Sequence, residues 1–295
     1  MRYAAFAVAA TTLFTAVTCD ATVDHRSSGP PQALQFYDAP SLTDIRDILA
    51  RFVPAIVSTV VQRMALPVNP QLYAGGDNSA LHAYLAAHET LGIEHHRYDY
   101  GTLEYAFTTN TIVPDVTTSS NPYPPGRFHQ DSFTPNDNLT KFYVEEFVPL
   151  LNASTNSYFA HLSNATQNLF PGKGDDDAAL SLDVILLQLL SNRASNGKVV
   201  AESKFLADPA NITALIKAQD VNSIHTILVN RTQEGVVLDE ADNAAVLFSS
   251  AWNNAGGLPP PTFETSVRNA TFKVFRNLID ITTQTEVEYL LGRLH

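Results

Sequence analysis

Apolar residues recur at spacings of three and four over most of the chain, and no stretch alternates in twos as a half-buried strand would. The pattern predicts an all-α protein. A first helix opens at Ser41, with Asp44 three residues on in a capping-box arrangement. Its apolar stripe runs through Leu42, Ile45, Leu49, Phe52, Ile56, Val60 and Met64, and Pro54 inside it should kink it. Further helices are expected over 78–98, 140–151, 182–204, 210–217, 220–234 and 264–293. The intervening stretch 99–137, rich in Pro, Thr, Asn and Ser, reads as a long irregular loop, and 152–178 as a polar connection. Asp208-Pro209 and 253–262 read as breaks.

The stretch 182–204 stands at the centre of this pattern. Leu182, Leu186, Leu189, Arg193, Gly197, Val200 and Lys204 share one face of a single buried helix, and two of those residues are cations. Eleven helical steps separate Arg193 from Lys204. They return to within roughly 20° of the start and rise about 16 Å. Two long basic side chains on one inward stripe can converge on an anion held between them. The plainer reading is that each pairs with an acid or carries its charge out to water. Buried Arg and Lys are uncommon unless paired, so something negative should lie near.

Other helices also place polar groups on apolar faces. Arg46 lies beside the stripe of the first helix, where a surface pair with Asp44 or Asp47 is the plain alternative. Asn230 and Glu234, four residues apart, face the same way, although surface polarity would explain them equally well. Thr282 and Glu286 interrupt the inward face of the last helix, among Phe275, Ile279, Tyr289 and Arg293. A carboxyl group there should pair with a cation or stay protonated.

Charge and cysteine narrow the chemistry. With 30 acidic against 18 basic residues the net charge is −12, which disfavours nucleic acid and anionic membrane as partners. A small anionic ligand responds to local charge and stays open. The single cysteine, Cys19, leaves no disulfide framework and no thiol-based metal site or nucleophile. His88, Glu89, His95 and His96 do not have the HExxH spacing, and Asp175 to Asp177 lack EF-hand spacing, so no metal is expected. Arg2, an uncharged apolar or small-residue run over 4–18 and Cys19-Asp20-Ala21 read as a secretory signal over 1–21. A disordered lead-in over 22–40 and one domain over 41–295 follow, and the mature protein is expected to be extracellular. Six N-x-S/T sequons, at Asn138, Asn152, Asn164, Asn211, Asn230 and Asn269, would then meet the glycosylation machinery. Asn230 should remain bare, as a pocket residue.

Five stretches carry a family resemblance: DIRDILARF at 44–52, FYVEEFVPLL at 142–151, LLSNRASNGKVVAESKF at 189–205, LIKAQDVNSI at 215–224 and ITTQTEVEYLLGRL at 281–294. The chain resembles the all-helical chorismate mutases of eukaryotes, particularly their secreted members, over nearly everything from Ser41 to His295. The Arg-to-Lys spacing of eleven and the C-terminal TxxxE are the most specific matches. The resemblance implies a single multi-helix bundle with a long core helix. It also implies a cofactor-free isomerisation of chorismate to prephenate, and a homodimer. Position by position, Arg46, Arg193, Lys204 and Glu286 would be catalytic, and Asn230, Glu234 and Thr282 would bind substrate. Where regulated relatives carry two adjacent arginines this chain has Arg97-Tyr98, and their Gly-Ser turn falls at Asp177-Ala178. Tryptophan and tyrosine are therefore not expected to regulate it. A secreted member would divert chorismate from aromatic synthesis in a host. The competing reading is a non-catalytic secreted protein that keeps the fold to bind a host protein. Retention of all seven polar positions favours the enzyme.

Overall fold

The computed structural model describes residues 41–95, 97–98, 103–108, 131, 133–151, 176–254 and 262–294. The proposed signal and lead-in, His96, Asp175 and the sequons at Asn152 and Asn164 lie outside the described residues. All regular structure among the described residues is helical.

The first apolar stripe forms two helices, α1 (Leu42–Ala50) and α2 (Phe52–Met64). Ser41 caps α1, accepting from the Asp44 amide at 3.1 Å and donating to the Asp44 carboxylate at 2.7 Å. The break falls at Arg51, three residues before the expected kink. Pro54 has no N–H for the Ala50 carbonyl, and its ring would collide with that carbonyl. Interrupting the ladder at Arg51 puts Pro54 in the first turn of α2, where a missing N–H costs little.

After two 3₁₀ turns, Pro70–Leu72 and Gly76–Asn78, comes α3 (Ala80–Glu94). Helix α4 (Asn136–Phe142) starts four residues earlier than periodicity suggests and runs into a π turn at Tyr143–Phe147. The single helix expected over 182–204 is two abutting segments, α5 (Asp176–Ser195) and α6 (Gly197–Ala207). Asn196 between them keeps right-handed helical angles, φ −64 and ψ −13. Its side chain turns back to the Asn192 carbonyl at 2.8 Å. A Cβ on Gly197 would lie 2.9 Å from Thr282 Cγ2 and 3.1 Å from the Thr282 carbonyl oxygen. Glycine is needed here for close helix crossing.

Helix α7 (Pro209–Ala218) is capped by Asp208 with proline at its first position. The helix expected over 220–234 also divides. Asp220 caps α8 (Val221–Leu228), the chain extends at Val229 (φ −67, ψ 130), and α9 (Arg231–Asn254) continues well beyond 234. Asn230 therefore caps α9 instead of lying inside a helix: its side-chain oxygen accepts from the Gln233 amide at 3.0 Å. Helix α10 (Thr262–Gly292), 31 residues long, is the spine, in contact with α2, α4, α5, α6, α8 and α9.

Two apolar clusters flank that spine. The larger joins α2 through α5 with α9 and the first part of α10, through Ile56, Met64, Phe147, Leu186, Leu190 and Phe275. The smaller joins α6, α7 and α8 to the end of α10, through Phe205, Ile216, Ile224, Leu228, Tyr289 and Leu290. A polar island sits within the larger cluster. Arg63 and Asp183, both 0% exposed, pair at 2.5 Å. Arg63 also donates to Tyr73 at 2.6 Å; Tyr73 and Tyr143 donate to Asp183 at 2.7 and 2.5 Å. Burial alone would lower the Arg63 pKa, but Asp183 and the two tyrosines hold it above its ordinary value.

Candidate active site

Helices α1, α5, α6 and α10 and the α8–α9 junction enclose a cavity of about 230 Å³. Arg46, Arg193, Lys204, Asn230, Glu234, Thr282 and Glu286 all line it, so the structure brings the seven polar candidates together. Leu49, Val200, Val237 and Ile279 are among the apolar residues of its wall.

Arg193 is the most unusual of these residues. It is 5% exposed, and its Nε has no hydrogen-bond partner. Burial lowers its pKa to about 10, with Glu286 and Glu240 only partly opposing that. A buried guanidinium without a paired carboxylate is costly, and a bound anion would relieve it. Lys204 donates to the Leu228 carbonyl at 2.5 Å and reaches Glu286 Oε2 at only 3.4 Å. Burial pushes the Glu286 carboxyl up to about 7, against the pull of Lys204 and Arg193. Near neutral pH that group is shared between its two forms and can donate or accept.

Arg46 is exposed on α1 and makes no ion pair among the described residues. Its plain alternative is absent at Asp44, whose carboxylate serves the cap. Arg46 and Arg193 also line an adjoining cavity of about 300 Å³. Thr282 is buried and donates its hydroxyl to the Leu278 carbonyl at 2.6 Å, which leaves its oxygen as an acceptor. Its methyl packs where the Gly197 side chain would be.

Asn230 and Glu234 occupy different positions from those expected. Asn230 is exposed at the cavity mouth, held by its capping role, so a glycan there would block the entrance and would not need to fit inside. Glu234 Oε2 already accepts from Arg231 at 2.8 Å and from Arg276 at 3.3 Å. Gln233 and Thr283 line the cavity as well and were missed by periodicity, although each adjoins a residue that was found. Arg276 was missed too; its signal was a position three residues before Ile279 on the inward side of α10.

Glu89, considered above for metal, instead anchors a loop. Its carboxylate accepts from the Phe107 and Thr108 amides at 2.5 and 3.0 Å and from the Thr108 hydroxyl at 2.5 Å. Among the described residues no three His, Cys, Asp or Glu side chains gather in a metal-holding group. Within them no helix is long and apolar enough to cross a membrane.

No family profile matches the sequence. The chain is 28% identical over 268 residues to the chorismate mutase of Schizosaccharomyces pombe, covering 86% of this chain and 96% of that protein. It superposes on the crystal structure of the chloroplast chorismate mutase from Zea mays with a TM-score of 0.64 at 22% identity, covering 87% and 96% of the two chains. A Candida albicans chorismate mutase in complex with L-Trp gives a TM-score of 0.57 at 22% identity, over 86% and 92%. The fold is that of the all-helical chorismate mutases, and relatives and structural neighbours together support that family.

Proposed function

We propose that this member of the all-helical chorismate mutase group converts chorismate to prephenate in the cavity around Arg193, without a cofactor. The observation that carries the proposal is Arg193: a buried, unpartnered guanidinium in one cavity with Lys204 and a carboxyl that titrates near neutrality. The substrate is a dianion with an enolpyruvyl ether. In the rearrangement a C–C bond forms as the ether C–O bond breaks, and negative charge grows on the departing oxygen. No nucleophile is required. The enzyme has to hold a compact chair-like conformer and stabilise that charge.

Each of the seven polar candidates then has a task. Arg46 and Arg193 present planar forks to the two carboxylates. Lys204 donates to the ether oxygen, exchanging its bond to the Leu228 carbonyl for one to substrate. Glu286, when protonated, donates to the same oxygen. Glu234 accepts from the ring hydroxyl. Asn230 at the mouth and the Thr282 oxygen inside supply neutral hydrogen bonds. Purified protein should remove chorismate, followed by its absorbance, and intact folded protein without turnover would refute the reading.

The same reading includes secretion through residues 1–21 and assembly as a homodimer, as the family resemblance implies. Sedimentation of the purified protein and sequencing of its mature N-terminus address the two. It also includes insensitivity to tryptophan and tyrosine. Support comes from the Arg97 region: Arg97 pairs with Glu104 at 2.5 Å, and Tyr98 is 7% exposed against Gly92. The cavity that Arg97, Tyr98 and Asn192 line is about 10 Å³. That is room for about one water, not an amino acid.

A further inference from the structure

We infer that Arg276 is a positioning residue: it fixes Glu234 against the substrate's ring hydroxyl by tying the start of α9 to α10. The inference rests on the proposed function. Glu234 Oε2 is held by two arginines, and the two differ in what they can fix. Arg231 is a neighbour on the same helix, three residues away, with its side chain 68% exposed. It travels with Glu234, so it sets no distance between Glu234 and the rest of the site, and an exposed local pair contributes little. Arg276 comes from α10, the helix that carries Thr282 and Glu286. Its guanidinium spans two carboxylates, Glu234 at 3.3 Å through Nη1 and Asp280 at 3.2 Å through Nη2. The hydroxyl acceptor on α9 is thereby held relative to the ether-oxygen donor on α10. The Glu234 side chain is 12% exposed, so few waters can replace a lost partner.

Helix α9 packs along α10, but its first turn, which follows the extended residue Val229, has no buried residue over 231–236 to hold it there. Val229 separates α8 from α9, and the Asn230 cap holds only the turn within α9. Without Arg276, the first turn of α9 is free to settle with Glu234 turned toward solvent and Arg231. The ring hydroxyl is present in both substrate and transition state, so misplacing its acceptor weakens both alike and raises KM more than it lowers kcat.

Steady-state kinetics on a double-mutant cycle test this. Arg276→Met should raise KM for chorismate about fivefold with kcat within about twofold. Arg276→Gln should do the same, and Arg276→Lys, which still reaches Glu234 as a point charge, should restore most of KM. Arg231→Met should change KM by less than about twofold. In a Glu234→Gln background Arg276→Met should have no further effect, because Arg276 acts through Glu234. Additive effects in the cycle, or an Arg276→Met enzyme with unchanged KM, would overturn the role. A loss confined to kcat would overturn it too. Wild-type protein that leaves chorismate untouched would overturn the function and this role with it, whereas active wild type with an additive cycle overturns the role alone.

Discussion

Two arginines are buried among the described residues, and they are opposites. Arg63 lies within the larger apolar cluster with its charge answered by Asp183 at 2.5 Å and its remaining hydrogens shared among Tyr73 and backbone carbonyls. Asp183 is met in turn by both tyrosines. Arg193, 5% exposed, has an Nε without a partner and no ion pair among the described residues. Burial acts on both, yet the Arg63 pKa is raised while that of Arg193 falls to about 10. The difference lies in the partners. A satisfied buried charge serves the fold, and an unsatisfied one is a cost to the fold that a ligand can recover. Burial of a cation alone therefore does not reveal a binding site; burial together with an open donor in a cavity does.

The largest expected effect tests the first half of this contrast. Arg63→Leu should lose about 3–5 kcal/mol of stability, because Asp183 is left buried and uncompensated. Replacing Asp183 by Leu as well should recover only part of it, because the buried Tyr73 and Tyr143 hydroxyls then lose their acceptor. Urea unfolding measures both, and a near-neutral single mutant would mean the island is not a paired interior.

Arg193 should behave the other way. Arg193→Met should cost at least about 3 kcal/mol of transition-state stabilisation, more than a hundredfold in rate, and Lys204→Ala about as much. Folding stability should not fall in Arg193→Met, since an uncompensated buried charge is removed. If that variant unfolds as readily as Arg63→Leu, or turns over like wild type, the two arginines are not opposites.

Glu286 sharpens the contrast through pH. Its folded-state pKa, about 7, lies above its ordinary value of 4.5, so the folded protein holds a proton that the unfolded chain releases. The associated stability is fully present below pH 4.5 and is lost as pH rises through about 7, amounting to at most about 3 kcal/mol. Glu286→Gln should flatten that slope in urea midpoints taken across the range. Turnover at saturating chorismate should also decline as pH rises through the carboxyl's pKa in the complex. The glutamine variant, a permanent donor of nearly the same shape, should stay active without the alkaline decline. A variant that keeps the decline would remove Glu286 from the donor role.

The smallest expected effect is none: tryptophan or tyrosine added to the assay should leave the rate unchanged. A several-fold response would assign the tight packing around Arg97 and Tyr98 a different role.

What could be read from the residues follows from periodicity. Arg193, Lys204, Thr282 and Glu286 stood out because a helix repeats its faces and these polar groups break apolar runs. Asn230 lines the cavity at its exposed mouth, and its conformation differs from the helical one expected: an asparagine can end one helix and cap the next, and spacing alone does not distinguish a cap from an interior position. Pro54 signalled an interruption, but the strain appears at the carbonyl it opposes, so the break moved back to Arg51. The Arg63–Asp183 pair could not be read at all. Its members are 120 residues apart, and α2 is buried on nearly every side, so no polar face exists from which Arg63 could stand out. Arg276 was overlooked although its spacing from Ile279 offered a signal, because an arginine beside an apolar stripe reads equally well as a surface residue, and the structure leaves its side chain 39% exposed.

The spine α10 has a kinetic consequence. Ile279, Thr282 and Glu286 lie in the C-terminal half of a helix that contacts six others, so their amides should open to exchange with solvent deuterium only when the protein unfolds as a whole. Helix α1 has nine residues, of which only Ile45 is buried, and ends at the Arg51 break. Its amides should exchange through local opening at a small fraction of that free energy. Of the two guanidinium groups proposed for substrate, Arg193 should wait in place while Arg46 should arrive with a helix that opens locally. On the proposed function, the time a substrate spends half held, before both ends are gripped, should then follow how often α1 is docked.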